Sequence, residues 1–111
     1  MSAEWDDLLQ DVLDPDESAR ALARARGAAL IVSDRRLVIL DGDRKAMDVR
    51  FERLRRIQFD IERDRPATLV IVPDHPEDEP QVLPIPRDEY RAVADALVLI
   101  GERLHEPRGN L

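Results

Sequence analysis

Cysteine is missing from all 111 residues, which excludes disulfides, thiolate metal centres and cysteine nucleophiles and favours an intracellular setting. Long apolar runs are missing too. None approaches the ~20 residues that a membrane-spanning helix needs, and the opening Met-Ser-Ala-Glu-Trp-Asp-Asp has neither the basic nor the apolar part of a leader. The chain is therefore expected to be soluble and cytoplasmic. Four glycines form no glycine-rich phosphate loop. Ser2, Ser18, Ser33 and Thr68 have no histidine partner in any recognisable arrangement, so no activated nucleophile is supported. No enzyme and no cofactor is expected.

Lysine is nearly absent. Of 17 basic residues only Lys45 is lysine and the rest are arginine, which composition bias in the source genome explains. The net charge is -7, opposed to a nucleic-acid partner, since phosphate binding draws on clustered bases. The charge is uneven along the chain. Residues 1–19 hold seven acids and no base, residues 20–65 hold 13 bases and eight acids, and residues 66–111 hold four bases and nine acids. Such charges pair on a solvated surface at ~0 to 1 kcal/mol each, or they make a basic face for an acidic peptide or a phosphate.

The length suits one domain with its own core. Its surest local feature is Ala28 to Leu40, AALIVSDRRLVIL, where two short aliphatic runs flank a polar tetrad, the pattern of a β-hairpin. Before it, Trp5, Leu8, Leu9, Val12 and Leu13 fall on one helical stripe over residues 2–13, with Ser2 as N-cap and Asp14-Pro15 as the stop. That stripe docks either on its own domain or on a partner, for which Trp5 is the natural anchor. Residues 17–26 admit two readings. Ala and Arg favour helix by propensity, whereas alanine at 19, 21, 23 and 25 alternates as in a strand, the reading taken here.

After Leu40, Asp41-Gly42-Asp43 signals a tight turn. Alternating strands are expected at Met47, Val49 and Phe51 and at Ile57, Phe59 and Ile61, and a fully buried strand at Ala67 to Val72. Residues 73–80, PDHPEDEP, read as an exposed loop, and Val82 to Ile85 as a short strand whose Pro84 suggests an edge or a bulge. A helix from about Arg87 to Leu104 closes the domain, Val98 and Leu99 widening its apolar face. Gly101 within it is explained if the helix approaches the sheet closely there. The parts are thus residues 1–14 as an amphipathic helix, 17–105 as the main body and 106–111 as a fraying tail.

The stretch ALIVSDRRLVIL, followed by MDVRFERLRRIQFDIE, ATLVIV and the closing helix, resembles the bacterial pleckstrin-homology-like and GRAM-like domains over roughly Glu17 to Leu104. The resemblance implies a curved antiparallel seven-stranded barrel capped by the C-terminal helix, here preceded by a short N-terminal helix. It also implies that Arg24, Arg26, Arg44 and Lys45 lie near loops at one barrel end, where relatives that bind inositol phosphates place their bases. Two departures stand against carrying the lipid role over: no tryptophan in the closing helix, and no lysine-rich signature in the first strand. His75 among acids lacks the ligand spacing of a calcium or zinc site, and His105 suits a helix C-terminus. The function expected is a non-enzymatic module that recognises a protein segment, or self-associates, through an edge strand or the groove between barrel and helix. The alternative is a membrane-surface adaptor that holds anionic headgroups with its Arg-rich middle. Arg35 and Arg36, at the hairpin turn, are expected to do little more than face solvent.

Overall fold

The computed structural model describes residues 3–42 and 44–104. Ser2, Asp43, His105, the 106–111 tail and the side chain of Trp5 lie outside the described residues. In chain order the elements are α1 (Ala3–Val12), β1 (Ala19–Ala25), β2 (Ala28–Ser33), β3 (Arg36–Asp41), β4 (Arg44–Arg50), β5 (Leu54–Asp60), β6 (Ala67–Pro73), β7 (Gln81–Ile85) and α2 (Tyr90–Leu104). The strands form two antiparallel sheets, β1-β2-β3-β4 and β5-β6-β7.

The hairpin of β2 and β3 is the centre of the first sheet, in register Leu30↔Ile39 and Val32↔Leu37. Its runs are continuous rather than alternating because both faces are covered. Leu30, Val32, Leu37 and Ile39 enter the main core, while Ala29, Ile31, Val38 and Leu40 meet Leu8, Leu9, Val12 and Leu13 on the outer side. The N-terminal stripe therefore docks on its own sheet. A ten-residue helix is marginal alone, so this contact is what holds it helical.

Residues 19–25 are a strand, as the alternation indicated. Ala21, Ala23 and Ala25 face the main core and Leu22 faces α1. Small side chains on the inner face leave room for α2, which packs along β1. Two contacts fix its direction: Glu89 Oε1 accepts from the Arg24 backbone N–H at 2.6 Å, and Arg103 donates to the Asp34 carbonyl at the other end of β1. Val93, Ala96 and Ile100 are the buried face of α2.

The expected closed barrel is not formed; the two sheets remain separate. Phe51–Arg53 form a 3-10 turn that carries the chain out of the first sheet, so β4 and β5 do not pair. On the other side, β1 and β7 are linked by one backbone bond, from Arg26 N–H to the Pro84 carbonyl at 3.2 Å. Phe51 consequently belongs to that turn, still buried, and Ile61 lies beyond β5 and is 60% exposed rather than on a core face. Ala67 to Val72 is not buried on both faces: Ala67, Leu69 and Ile71 are interior, but Thr68, Val70 and Val72 are half-buried. Pro84 does lie on an edge strand, since β7 ends its sheet and a residue without N–H is tolerated there.

In the closing helix, Arg87–Glu89 form a 3-10 turn before α2, and Val98, expected on the apolar face, is exposed. Gly101 is not explained by a close approach. A Cβ built there meets nothing within 4 Å, so the glycine only weakens the helix. Gly101→Ala is expected to stabilise the domain by ~0.5 to 1 kcal/mol, read as a raised urea midpoint with an unchanged slope; a lower midpoint would show that the glycine serves packing after all.

Candidate functional site

The best-buttressed polar cluster lies where α1, β1 and the hairpin turn meet. Asp14-Pro15-Asp16-Glu17 make a turn closed by the Glu17 N–H on the Asp14 carbonyl at 3.0 Å, and Glu17 Oε1 accepts in return from the Asp14 N–H at 3.1 Å. The Glu17 side chain is fully buried. Its Oε2 accepts from Ser33 Oγ at 2.5 Å and from Arg36 Nε at 2.8 Å, and Oε1 accepts from Arg36 Nη2 at 2.7 Å. Arg36 donates further to the Val12 carbonyl at 2.9 Å, where α1 ends, and to Asp48 Oδ2 on β4 at 2.7 Å. One guanidinium thus ties α1, the 14–17 turn, β3 and β4. The paired hydrogen bonds from Arg36 hold the Glu17 carboxyl down to about 2 from 4.5, against the opposing effect of burial, and those to Glu17 raise the already high pKa of Arg36. Arg36 is therefore a half-buried structural tie, not the solvated turn residue expected. Arg35 pairs with Asp16 at 3.5 Å on the surface.

The residues singled out from sequence are spread over several places. Arg24 lines a groove of about 570 Å³ beneath α1 with Leu8, Ala28, Leu40 and the two turn glycines Gly27 and Gly42. Arg26, two residues on, lines a different cleft of about 370 Å³ with Arg63, Arg65, Arg87 and Tyr90. Arg44 is 80% exposed and 3.9 Å from Asp41. Lys45 is held by Asp48 at 2.9 Å and lines a third hollow of about 200 Å³ with Pro73, Asp78 and Glu79. Trp5 sits in α1, its side chain outside the described residues. In the 74–80 loop, which starts one residue later than expected because Pro73 is a buried residue of β6, His75 Nδ1 accepts from the Glu77 N–H at 3.2 Å and its carbonyl accepts from the Asp78 N–H at 3.1 Å, so the histidine shapes its own turn. Among the described residues no group of acids and histidines is arranged to hold a metal, and no helix is long and apolar enough to cross a membrane.

Comparison with known proteins gives the fold. A DUF1696 family protein with a pleckstrin-homology domain from Shewanella loihica is similar with a TM-score of 0.66, at 16% identity over 89% of each chain. A pleckstrin homology domain from Shewanella amazonensis is similar with a TM-score of 0.65, at 14% identity over 92% of this chain and 97% of that one. The fold is that of a bacterial pleckstrin-homology-like domain. No family model matches the chain, and no curated protein is a significant match.

Sequence reading missed two groupings. Glu17, the Ser33–Arg36 turn and Asp48 are far apart in sequence, and nothing local marks them as partners. Arg63 and Arg65 lie in the connection between β5 and β6 and Arg87 just before α2, and only the meeting of three chain reversals brings them to Arg26.

The buried tie has a pH signature. Because the folded pKa of Glu17 lies below its unfolded value, its contribution is complete above 4.5 and disappears as pH falls towards about 2. The shift corresponds to roughly 3 kcal/mol. Glu17→Gln is expected to lower stability by about that amount at neutral pH, with the difference from the parent chain shrinking through the acid range in urea titrations. A difference that stays constant with pH would show that the carboxylate charge is not what matters.

Proposed function

We propose that this chain is a non-enzymatic binding module, acting in the cytoplasm, that captures an extended protein segment or a second copy of itself by main-chain pairing along a strand edge. The observation that carries this reading is β5. It ends its sheet, pairs only with β6, contains no proline and is seven residues long. Leu54, Ile57 and Phe59 lie on its inner face yet are only half-buried, as expected where no further strand covers them. An added strand would satisfy the exposed N–H and C=O groups and complete the burial of these side chains.

The other three edges suit this less. On β7, Pro84 has no N–H and its carbonyl already accepts from Arg26. On β1, the Arg24 N–H is taken by Glu89. Beside β4 lies the 74–80 loop, which shares a hollow with Lys45 to Val49. The charged Arg55 and Arg56 at the start of β5 are what a protein places on an edge to resist unspecific pairing. The rival reading, an anionic membrane surface held by the whole Arg-rich middle, draws less support. Arg35, Arg36, Arg44, Lys45 and Arg50 each face a carboxylate, and the bases are distributed over both sheets.

Two measurements test the proposal. Sedimentation velocity from micromolar to near-millimolar protein, with amide exchange recorded in parallel, is expected to show association that protects residues 54–60; strict monomers remove self-pairing. Extended peptides selected against the chain are then expected to shift the β5 amide resonances. Ligands that leave β5 untouched would sink edge pairing altogether.

A further inference from the structure

We propose that the partner of the β5 edge is a second copy of this chain, paired antiparallel about Gln58 so that Arg56 of each copy stands opposite Asp60 of the other. The pairing rests on the edge reading above and adds to it the partner, the direction and the register. Its basis is the order of residues in the strand. From Arg56 to Asp60 the chain reads Arg-Ile-Gln-Phe-Asp, with Gln58 at the centre. Laid antiparallel on a second copy about that centre, base meets acid at both ends and Ile57 meets Phe59 on either side.

The main-chain groups fit the same centre. In an antiparallel ladder, residues directly opposite either exchange both hydrogen bonds or both turn away from each other, alternately along the strand. Pro84 has no N–H and its carbonyl accepts from Arg26, so it turns away from Thr68, its opposite on β6. Thr68 and Val70 therefore turn their groups towards β5, where they face Asp60 and Gln58. Ile57 and Phe59 in turn carry their N–H and C=O groups to the open edge. Pairing about Gln58 sets Ile57 of each copy against Phe59 of the other and satisfies every one of those groups. A register displaced by one residue would instead set groups that face the edge against groups that face β6.

The side chains choose this arrangement over its rivals. Arg56, Gln58 and Asp60 are exposed on the outer face, and the Gln58 amide donates to Asp60 Oδ1 and Oδ2 at 3.0 and 2.8 Å, holding that carboxylate along the strand. Opposite charges facing each other across a strand pair favour it, and like charges oppose it. Parallel pairing in register would set arginine beside arginine and aspartate beside aspartate. An antiparallel register displaced two residues one way sets Arg56 against Gln58 and Asp60 against Leu54; displaced the other way, it calls on Ile61 and Glu62, which lie beyond the strand. Arg55 sits where the β5–β6 register shifts, and such a bulge ends regular pairing. On the inner face, Ile57 beside Phe59 is a β-branched and aromatic pair of the kind that stabilises sheets. The two β5-β6-β7 sheets would join into one.

Charge exchange in the full chain tests the register. At low ionic strength R56D and D60R each set like charges opposite one another, and each is expected to weaken self-association in sedimentation velocity about tenfold or more. An equimolar mixture of the two variants sets opposite charges at every such contact and is expected to associate at least as well as the parent chain. R56D/D60R, which reverses the pair, is expected to return to within a few-fold of the parent. The chain has no cysteine, so Q58C carries a single thiol. At the centre of the pairing its Cα stands ~4.5 Å from its counterpart, close enough for a disulfide, and mild oxidation is expected to give a covalent dimer. R55C, roughly 20 Å from its counterpart, is expected to give none. Association that protects residues 54–60 but ignores the charge variants, or that leaves Q58C uncrosslinked, would overturn this register while edge pairing stood. A parent chain that stays monomeric to near-millimolar concentration would overturn the second copy as partner, and peptide binding at β5 would then still uphold the edge. Should a charge variant fail to fold, Q58C and R55C decide by themselves.

Discussion

Everything in this molecule hangs on the β2–β3 hairpin being apolar on both faces. A strand pair with one apolar face needs one cover; a pair with two needs two, and the chain supplies one from each end. α1 covers the outer face through Leu8, Leu9, Val12 and Leu13, while the second sheet and α2 enclose the inner one. Burying an aliphatic side chain fully is worth ~1.5 to 3 kcal/mol. Seven such positions at the centre of one sheet therefore dominate the choice of fold, and the layer order follows from them.

The polar turn of that hairpin turns out to be its anchor rather than its ornament. Burying Glu17 would be prohibitive for a lone carboxylate, and so would burying Arg36 for a lone guanidinium. Together, with Ser33 and the backbone of Asp14 filling the remaining acceptor positions, every demand is met. Such a pair adds little net stability compared with apolar packing, but it admits only one geometry. The apolar stripe of α1 could slide along the outer face of the sheet. The Arg36 donation to the Val12 carbonyl fixes where the helix must end.

Much of this was legible in the residues. Period-two alternation identified β4, β5 and β1, and continuous runs identified the hairpin. The failures have physical causes. Continuity at Ala67 to Val72 suggested burial on both faces, yet its outer side chains are shielded only by neighbouring strands. Phe51 kept the alternating pattern of β4 although the backbone had already turned, because a 3-10 turn and a strand end can bury the same side chain. Barrel closure was carried by resemblance, and closure depends on where β4 leaves its sheet, which no local pattern encodes. The Glu17–Arg36 pair and the arginine cleft escaped for a common reason: each gathers residues from separate chain reversals, and charge alternation on an arginine-rich chain gives no hint of which reversals meet.

Leaving the sheets unclosed has a consequence for function. A closed barrel would have used up the outer edge of β5 by pairing it with β4, and only the mouths would have been left to bind anything. Here the 3-10 turn at Phe51–Arg53 keeps β4 and β5 apart, so the main-chain groups of β5 face outward while its side chains still belong to the core. Binding there would couple to stability, because a partner strand would complete the burial of Ile57 and Phe59 rather than merely touch the surface. A partner strand bound along β5 would raise the melting temperature through apolar burial and persist in salt.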